Sequence, residues 1–217
     1  LRFLQSDKSL LETLQLSIIP ILNPDGAKSY TRLNANQVDL NRDAIDLSQV
    51  ESRILRKEFD EFSPDYAFNL HDQRTIFGVE AKPATISLLA PAFNKERSFN
   101  VCRTKAAQLA ASVFQGLQSS PIASQIGRFD DQFNPNCSGD AFQSLGVPTL
   151  LIEAGHFQND YQREQTRRYV FYAYVLALQA IANSIFVDVS IYHSIPENKN
   201  IFFDYVLRNV RYIDDVN

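Results

Sequence analysis

The sequence has no methionine, only two cysteines, Cys102 and Cys137, and only three histidines in 217 residues. Two cysteines without C-x-x-C spacing exclude a disulfide framework and a cysteine-built metal module, so free thiols are expected. No apolar run reaches the ~18 residues of a membrane span, and no charged start followed by an apolar stretch marks a signal peptide. Lysine and arginine form no stripe, and the net charge is −4, so there is no electrostatic case for nucleic acid or an anionic membrane as partner. The G-x-S-x-G elbow of serine-dependent α/β hydrolases is absent. So are internal repeats and low-complexity tracts.

What is present suits one core. Apolar residues make up 45% of the chain, enough for a single globular domain, expected over residues 1–185, with residues 186–217 as a C-terminal extension packing on it. Strands are expected at Leu16–Leu22, Tyr66–Leu70, Ala84–Ala90 and Val147–Glu153, each a short apolar run bounded by turn residues. Ser48-Gln49-Val50-Glu51 has the form of a capping box opening a helix to about Phe62, which Ser63-Pro64 ends. Helices are further expected over Ser98–Gln115, briefly over Asp140–Leu145, and over Asp160–Ile185. The last is expected to carry an apolar face of Phe171, Tyr174, Val175, Leu178, Ile181 and Ile185. Strand, helix and strand from Leu16 to Leu70 read as a parallel crossover unit. The fold class is α/β: a three-layer α/β/α sandwich on a mixed, largely parallel sheet. Leu1, Phe3, Leu4 and Leu10 read as a helix whose first turns are missing, so the chain is expected to be truncated at its N-terminus.

The densest chemistry lies in NPDGAKSYTRLNANQVDLNR, Asn23 to Arg42. Asn-Pro-Asp-Gly reads as a turn, with Pro24 presetting φ and Gly26 supplying the permissive position. Arg32, Asn34, Asp39, Asn41 and Arg42 then crowd a loop expected at a strand's carboxyl end, where open α/β sheets build their sites. Downstream, His71 closes the apolar run from Tyr66, and Glu153 closes the one from Val147. Burial at such a strand end raises a carboxyl pKa toward the range useful for a base. Ser119–Gly146 is long and polar, and a loop of that length in a compact domain is usually functional.

These four signals, the NPDG turn, Arg32 with Asp39-Leu40-Asn41-Arg42, Leu70-His71, and Leu151-Ile152-Glu153-Ala154, resemble in order and spacing the zinc carboxypeptidases of the carboxypeptidase A type (peptidase family M14). The resemblance covers roughly Leu14 to Ile185. It implies one Zn²⁺ with His71 as a ligand, Glu153 as general base and Arg32 as the cation facing the substrate carbonyl. Asn41 and Arg42 would bind a terminal carboxylate, and Asp39 would sit behind a ligand histidine. The family's remaining two ligands come from an H-x-x-E ahead of the NPDG turn, and no histidine precedes Asn23, so they are expected upstream of residue 1. A tyrosine that many members place before the catalytic strand has no counterpart between Gln118 and Asp160. Phe129 and Phe133 are candidates to cover the site without supplying a hydroxyl, so the closing role stays unassigned; the pocket floor is expected within Ser119–Phe142, where Asp130, Asp131 or Asp140 would either favour basic side chains or cap turns.

The function implied is hydrolysis of the C-terminal peptide bond of a peptide or protein, in an intact parent rather than in this fragment. The alternative is a metal-free relative that keeps Arg32, Asn41 and Arg42 and binds C-terminal carboxylates without cutting.

Overall fold

The computed structural model describes residues 2–6 and 8–211. In chain order it contains α1 (Arg2–Ser6), α2 (Pro24–Ser29), α3 (Val50–Phe62), β1 (Ala67–Asp72), β2 (Phe77–Val79), β3 (Lys82–Pro83), β4 (Ile86–Leu89) and α4 (Val101–Gly116). There follow β5 (Ile126–Arg128), α5 (Ser138–Ser144), β6 (Thr149–Ala154), α6 (Glu164–Asn183), α7 (Val189–Ser194) and β7 (Lys199–Asn200). The main sheet runs β1-β6-β4-β5, with β1 parallel to β6, β4 parallel to β5, and β4 antiparallel to β6. The fold is the expected α/β arrangement on a mixed sheet. A small sheet, β3-β2-β7, stands beside it.

Leu150, Leu151 and Ile152 of β6 are all buried, which is why this strand reads as a continuous apolar run rather than an alternating one. Helices α4 and α6 pack on one face of the sheet and on each other. On the opposite face α5 lies against β1 and β6, and α3 is joined to it by Phe59 stacked on Phe142, 4.0 Å between ring centroids.

Several expectations are corrected. Leu16–Leu22 forms no strand: Ile18 and Ile21 remain 51% and 60% exposed, and Pro20 in its middle has no N–H to give a ladder. The expected crossover unit therefore lacks its first strand. Asn-Pro-Asp-Gly opens the short helix α2 rather than a turn. The capping box does not form either. Helix α3 begins one residue later, and the buried Asp43 carboxylate takes the donors instead: the backbone N–H of Ser48 at 2.9 Å, the Ser48 hydroxyl at 2.7 Å and the backbone N–H of Gln49 at 2.9 Å. The buried stripe of α6 is Tyr169, Ala173, Ala177 and Ala180, whereas Phe171 and Ile185 are 43% and 70% exposed. These residues share one buried cluster with Ala106, Ala107, Ala110 and Ala111 of α4, which packs on α6, and small residues let helices approach closely. The polar stretch from Ser119 holds an unexpected strand, β5, through Ile126. Past Phe186, Tyr192 and Ile195 enter the main core, at 1% exposure each. Leu1, Asp7 and residues 212–217 lie outside the described residues.

Candidate active site at the carboxyl ends of two parallel strands

Residues 67–72 of β1 pair in register with residues 149–154 of β6, and in that register His71 stands opposite Glu153. Partners on parallel strands share a face, so imidazole and carboxylate project side by side from the carboxyl ends of the strands. Asn69, two residues before His71, shares that face by the same alternation. The opposite face takes Phe68, whose ring lies 5.6 Å from that of Tyr174 on α6. Gly155 lets β6 end against β4: a Cβ there would stand 1.8 Å from the Ala84 carbonyl oxygen and 2.2 Å from Gln73 Nε2.

His71 Nε2, Glu153 Oε2 and Asn69 Nδ2 are all buried without a hydrogen-bond partner. Unpaired buried polar atoms are costly, and native structures keep few of them. Burial pushes the Glu153 carboxyl up to about 7; the nearby Asp72 carboxylate adds to this, and the Arg32 cation opposes it. The same burial, helped by Arg32 and Arg42 and opposed by Asp39, pulls the His71 imidazole below its ordinary value. Asp72 is held by Arg163, whose Nη2 donates to Asp72 Oδ1 at 2.7 Å and to the Ala154 carbonyl at 3.1 Å.

The loop above is built from asparagines. Asn23 caps α2 by accepting from the Gly26 N–H at 2.8 Å and donates to the Arg32 carbonyl at 3.2 Å. Gly26 is needed for space, not for a permissive φ: a Cβ would lie 2.2 Å from Asn23 Nδ2. Tyr30, at φ 58°, ends the helix and turns the chain toward Arg32. Buried Asn34 then folds the loop around itself, accepting from the N–H groups of Asn36 and Val38 at 3.0 Å each and donating to Gln49 Oε1 at 3.0 Å.

Asp39 stands between two of the predicted residues. It accepts from Arg32 Nε at 2.8 Å and from the Asn41 N–H at 3.0 Å. Asn41 Oδ1 accepts from the Ser138 N–H at 3.0 Å, which leaves its amide NH₂ to serve as a donor and ties this loop to the first turn of α5. Gly139 in that turn packs over Asn69, where a Cβ would be 3.0 Å from the amide nitrogen. Arg42 is exposed; its Nη1 donates to the Asn41 carbonyl at 2.6 Å and to Cys137 Sγ at 2.9 Å. The charges of Arg32, Asp39 and Arg42 are felt at His71, and that of Arg32 also at Glu153; Asn41 is tied to Asp39.

Other candidates fall elsewhere. Asp131 is taken by Arg97 and by the fully buried Arg103, at 3.2 and 2.7 Å, and Asp130 accepts from the Gln132 N–H within a turn. Phe129 packs on Phe77, with ring centroids 5.2 Å apart. The His156 ring lies beside Tyr161, and the His193 ring lies beside Phe99. Cys137, Asn69, Asp72 and Arg163 were not singled out from the sequence. Alternation about His71 signals Asn69, but nothing local links Cys137 to Arg42, 95 residues away.

His71 offers a buried, unpartnered ring nitrogen, as a metal-binding imidazole requires. Among the described residues no group of three or more His, Cys, Asp or Glu side chains converges to hold an ion. The described residues thus fit one ligand position and not a complete zinc site.

No family model matches the chain. It is 35% identical over 146 residues to "Probable carboxypeptidase 2" of Arthroderma benhamiae, a match covering 67% of this chain and 26% of that protein. To the carboxypeptidase 2 of Trichophyton equinum it is 36% identical over 146 residues, with the same coverage of both. The chain therefore spans about a quarter of the length of the curated relatives it matches. A solved structure from Shewanella denitrificans OS-217, named for carboxypeptidase A, superposes with a TM-score of 0.53 at 16% identity, covering 77% of this chain and 46% of that one. In sequence and in fold the chain is carboxypeptidase-like. Among the described residues no helix is long and apolar enough to cross a membrane.

Proposed function

We propose that this chain carries the catalytic face of a zinc carboxypeptidase that removes the C-terminal residue of a peptide or protein. The observation that carries the reading is the register pairing of His71 with Glu153, each with a buried polar atom that has no partner, beneath a loop that supplies two arginines. The carboxypeptidase names of the fungal relatives support the substrate class. His71 would be one ligand of a zinc ion, and the remaining ligands would come from outside the described residues. The chemistry such an ion supplies when bound is Lewis acidity toward a water and a carbonyl oxygen.

The chain's own residues divide the remaining work. Glu153, buried at the strand end, takes the proton of the attacking water at Oε2 and later gives it to the departing amine. Arg32, held at Nε by Asp39, keeps its Nη groups free of that pairing and places fixed positive charge where a carbonyl oxygen becomes an oxyanion. Arg42 and the Asn41 amide bind the substrate's terminal carboxylate; the planar guanidinium matches its two oxygens.

The test is Glu153→Gln in the native protein, assayed on a short peptide with a free C-terminus. Glutamine keeps the shape and cannot accept the proton, so turnover should fall by more than the ~10²-fold credited to a general base while peptide binding persists. Turnover near the unmutated level would place the base elsewhere. Peptide binding without turnover in the unmutated protein would instead support a module that recognises carboxylates and does not cleave.

A further inference from the structure

Cys137 stands on the loop leading into α5, and that loop is fastened to the segment bearing Arg42 by further hydrogen bonds, one of them from Asn136 Nδ2 to Asp46 Oδ2 at 3.4 Å. The Asn136 carbonyl accepts from the Ala44 N–H at 3.2 Å, Asn136 Oδ1 accepts from the Ile45 N–H at 2.9 Å, and the Ser138 N–H donates to Asn41 Oδ1. At the centre of this seam the Cys137 thiol accepts from Arg42 Nη1 at 2.9 Å. No carboxylate of the described residues takes Arg42, although Arg32 has Asp39 and Arg163 has Asp72. The sulfur is thus a weak, uncharged acceptor opposite an exposed cation, an arrangement that orients the guanidinium without neutralising it.

We infer that Cys137 is the positioning residue for Arg42: its thiol holds the guanidinium in place while no carboxylate is bound, and releases it when a substrate carboxylate arrives. The inference rests on the proposed role of Arg42 as carboxylate clamp. A stronger acceptor in that place, such as aspartate, would occupy the clamp permanently, and an apolar side chain would leave the long Arg42 side chain with only the Asn41 carbonyl, at 2.6 Å, to hold it. The electrostatics agree with the contact. Burial pushes the Cys137 thiol up, and the Arg42 cation is the largest influence opposing that rise.

The contact is testable in this chain by thiol reactivity, read peptide by peptide with mass spectrometry. In alkylation by iodoacetamide the Cys137 thiolate sulfur forms a bond to carbon, iodide leaves, and the thiol's proton goes to buffer. Cys102, which lies near the start of α4 and shares a hydrogen bond with Gln143, serves as the internal control. Arg42→Gln should slow alkylation of Cys137 by about three-fold or more, the effect of losing a neighbouring cation on the thiolate population, and should leave Cys102 unchanged. Arg42→Lys, which keeps the charge, should stay close to the native rate. Both substitutions are at an exposed side chain, so the fold should survive them.

Equal or faster reaction of Cys137 in Arg42→Gln would overturn the inference. A second arm adds N-acetylphenylalanine or its amide. The acid should slow Cys137 in the native chain and not in Arg42→Gln, and the amide should do neither. If Arg42→Gln slows the thiol and the acid has no effect, the Cys137–Arg42 contact stands and the carboxylate clamp falls.

Discussion

Burial pushes two aspartates of this chain upward, yet their net pKa shifts are opposite, and the difference lies in the donors within reach. Asp43 and Asp140 are 2% and 8% exposed. Burial raises Asp43, but the nearby hydroxyls of Ser52 and Ser48 and the N–H groups of Gln49 and Ser48, around the start of α3, outweigh it and bring it down to about 2. Asp140 accepts from the Asn134 N–H at only 3.2 Å, and burial, the largest influence, carries it up to about 6 against that bond and the fields of Arg103 and Arg42. A folded-state pKa above the unfolded one means that stability is greatest below the unfolded value and is lost as pH rises through the folded one. Asp140→Asn keeps an oxygen for Asn134 and carries no charge. It should therefore raise stability at pH 8 by about 3 kcal/mol and change it little at pH 4, in urea titrations at the two pH values. A loss of stability at pH 8 would show that the ionised carboxylate is better satisfied than this geometry indicates.

At the scale of elements, helix α3 owes its start to Asp43, which lies outside the helix and is separated from it by six residues. Its depressed pKa gives stability that is present above the unfolded value of 3.8 and is lost as pH falls toward 2. Asp43→Asn should cost about 2 kcal/mol at pH 7, with the gap to the native chain reduced to about half by pH 3. Chemical denaturation followed by circular dichroism at pH 7 and pH 3 measures both quantities, and a pH-independent gap would assign the cost to packing instead of charge. Serine three residues before glutamate made Ser48 look like the cap. Only the folded turn brings Asp43 to the same N–H groups, where an ionised acceptor outcompetes a hydroxyl. Similarly, the large apolar residues of α6 suggested its buried face, but the fully buried positions are Ala173 and Ala177, while Phe171 is 43% exposed.

For the molecule as a whole, one imidazole cannot compete with water and buffer for zinc, so the 217-residue chain incubated with Zn²⁺ and desalted should retain well below one equivalent by elemental analysis. One full equivalent, lost in His71→Ala, would mean that residues within this chain complete the site, and the expectation of ligands from elsewhere would be wrong. The sequence by itself determined the α/β class, the strands near whose ends His71 and Glu153 lie, and the crowding of Arg32, Asp39, Asn41 and Arg42, because apolar runs and turn residues are local signals. What only the tertiary structure decided is how these parts meet. The register that sets His71 against Glu153 depends on pairing between strands more than 70 residues apart, and that pairing reflects the covering of both faces of the sheet. Antiparallel β4, the seam from Asn41 and Arg42 to Ser138 and Cys137, and the exposure of Ile18 and Ile21 come from the same source. Hydrogen bonds and burial between distant segments are settled by packing of the whole chain, which no window of sequence contains.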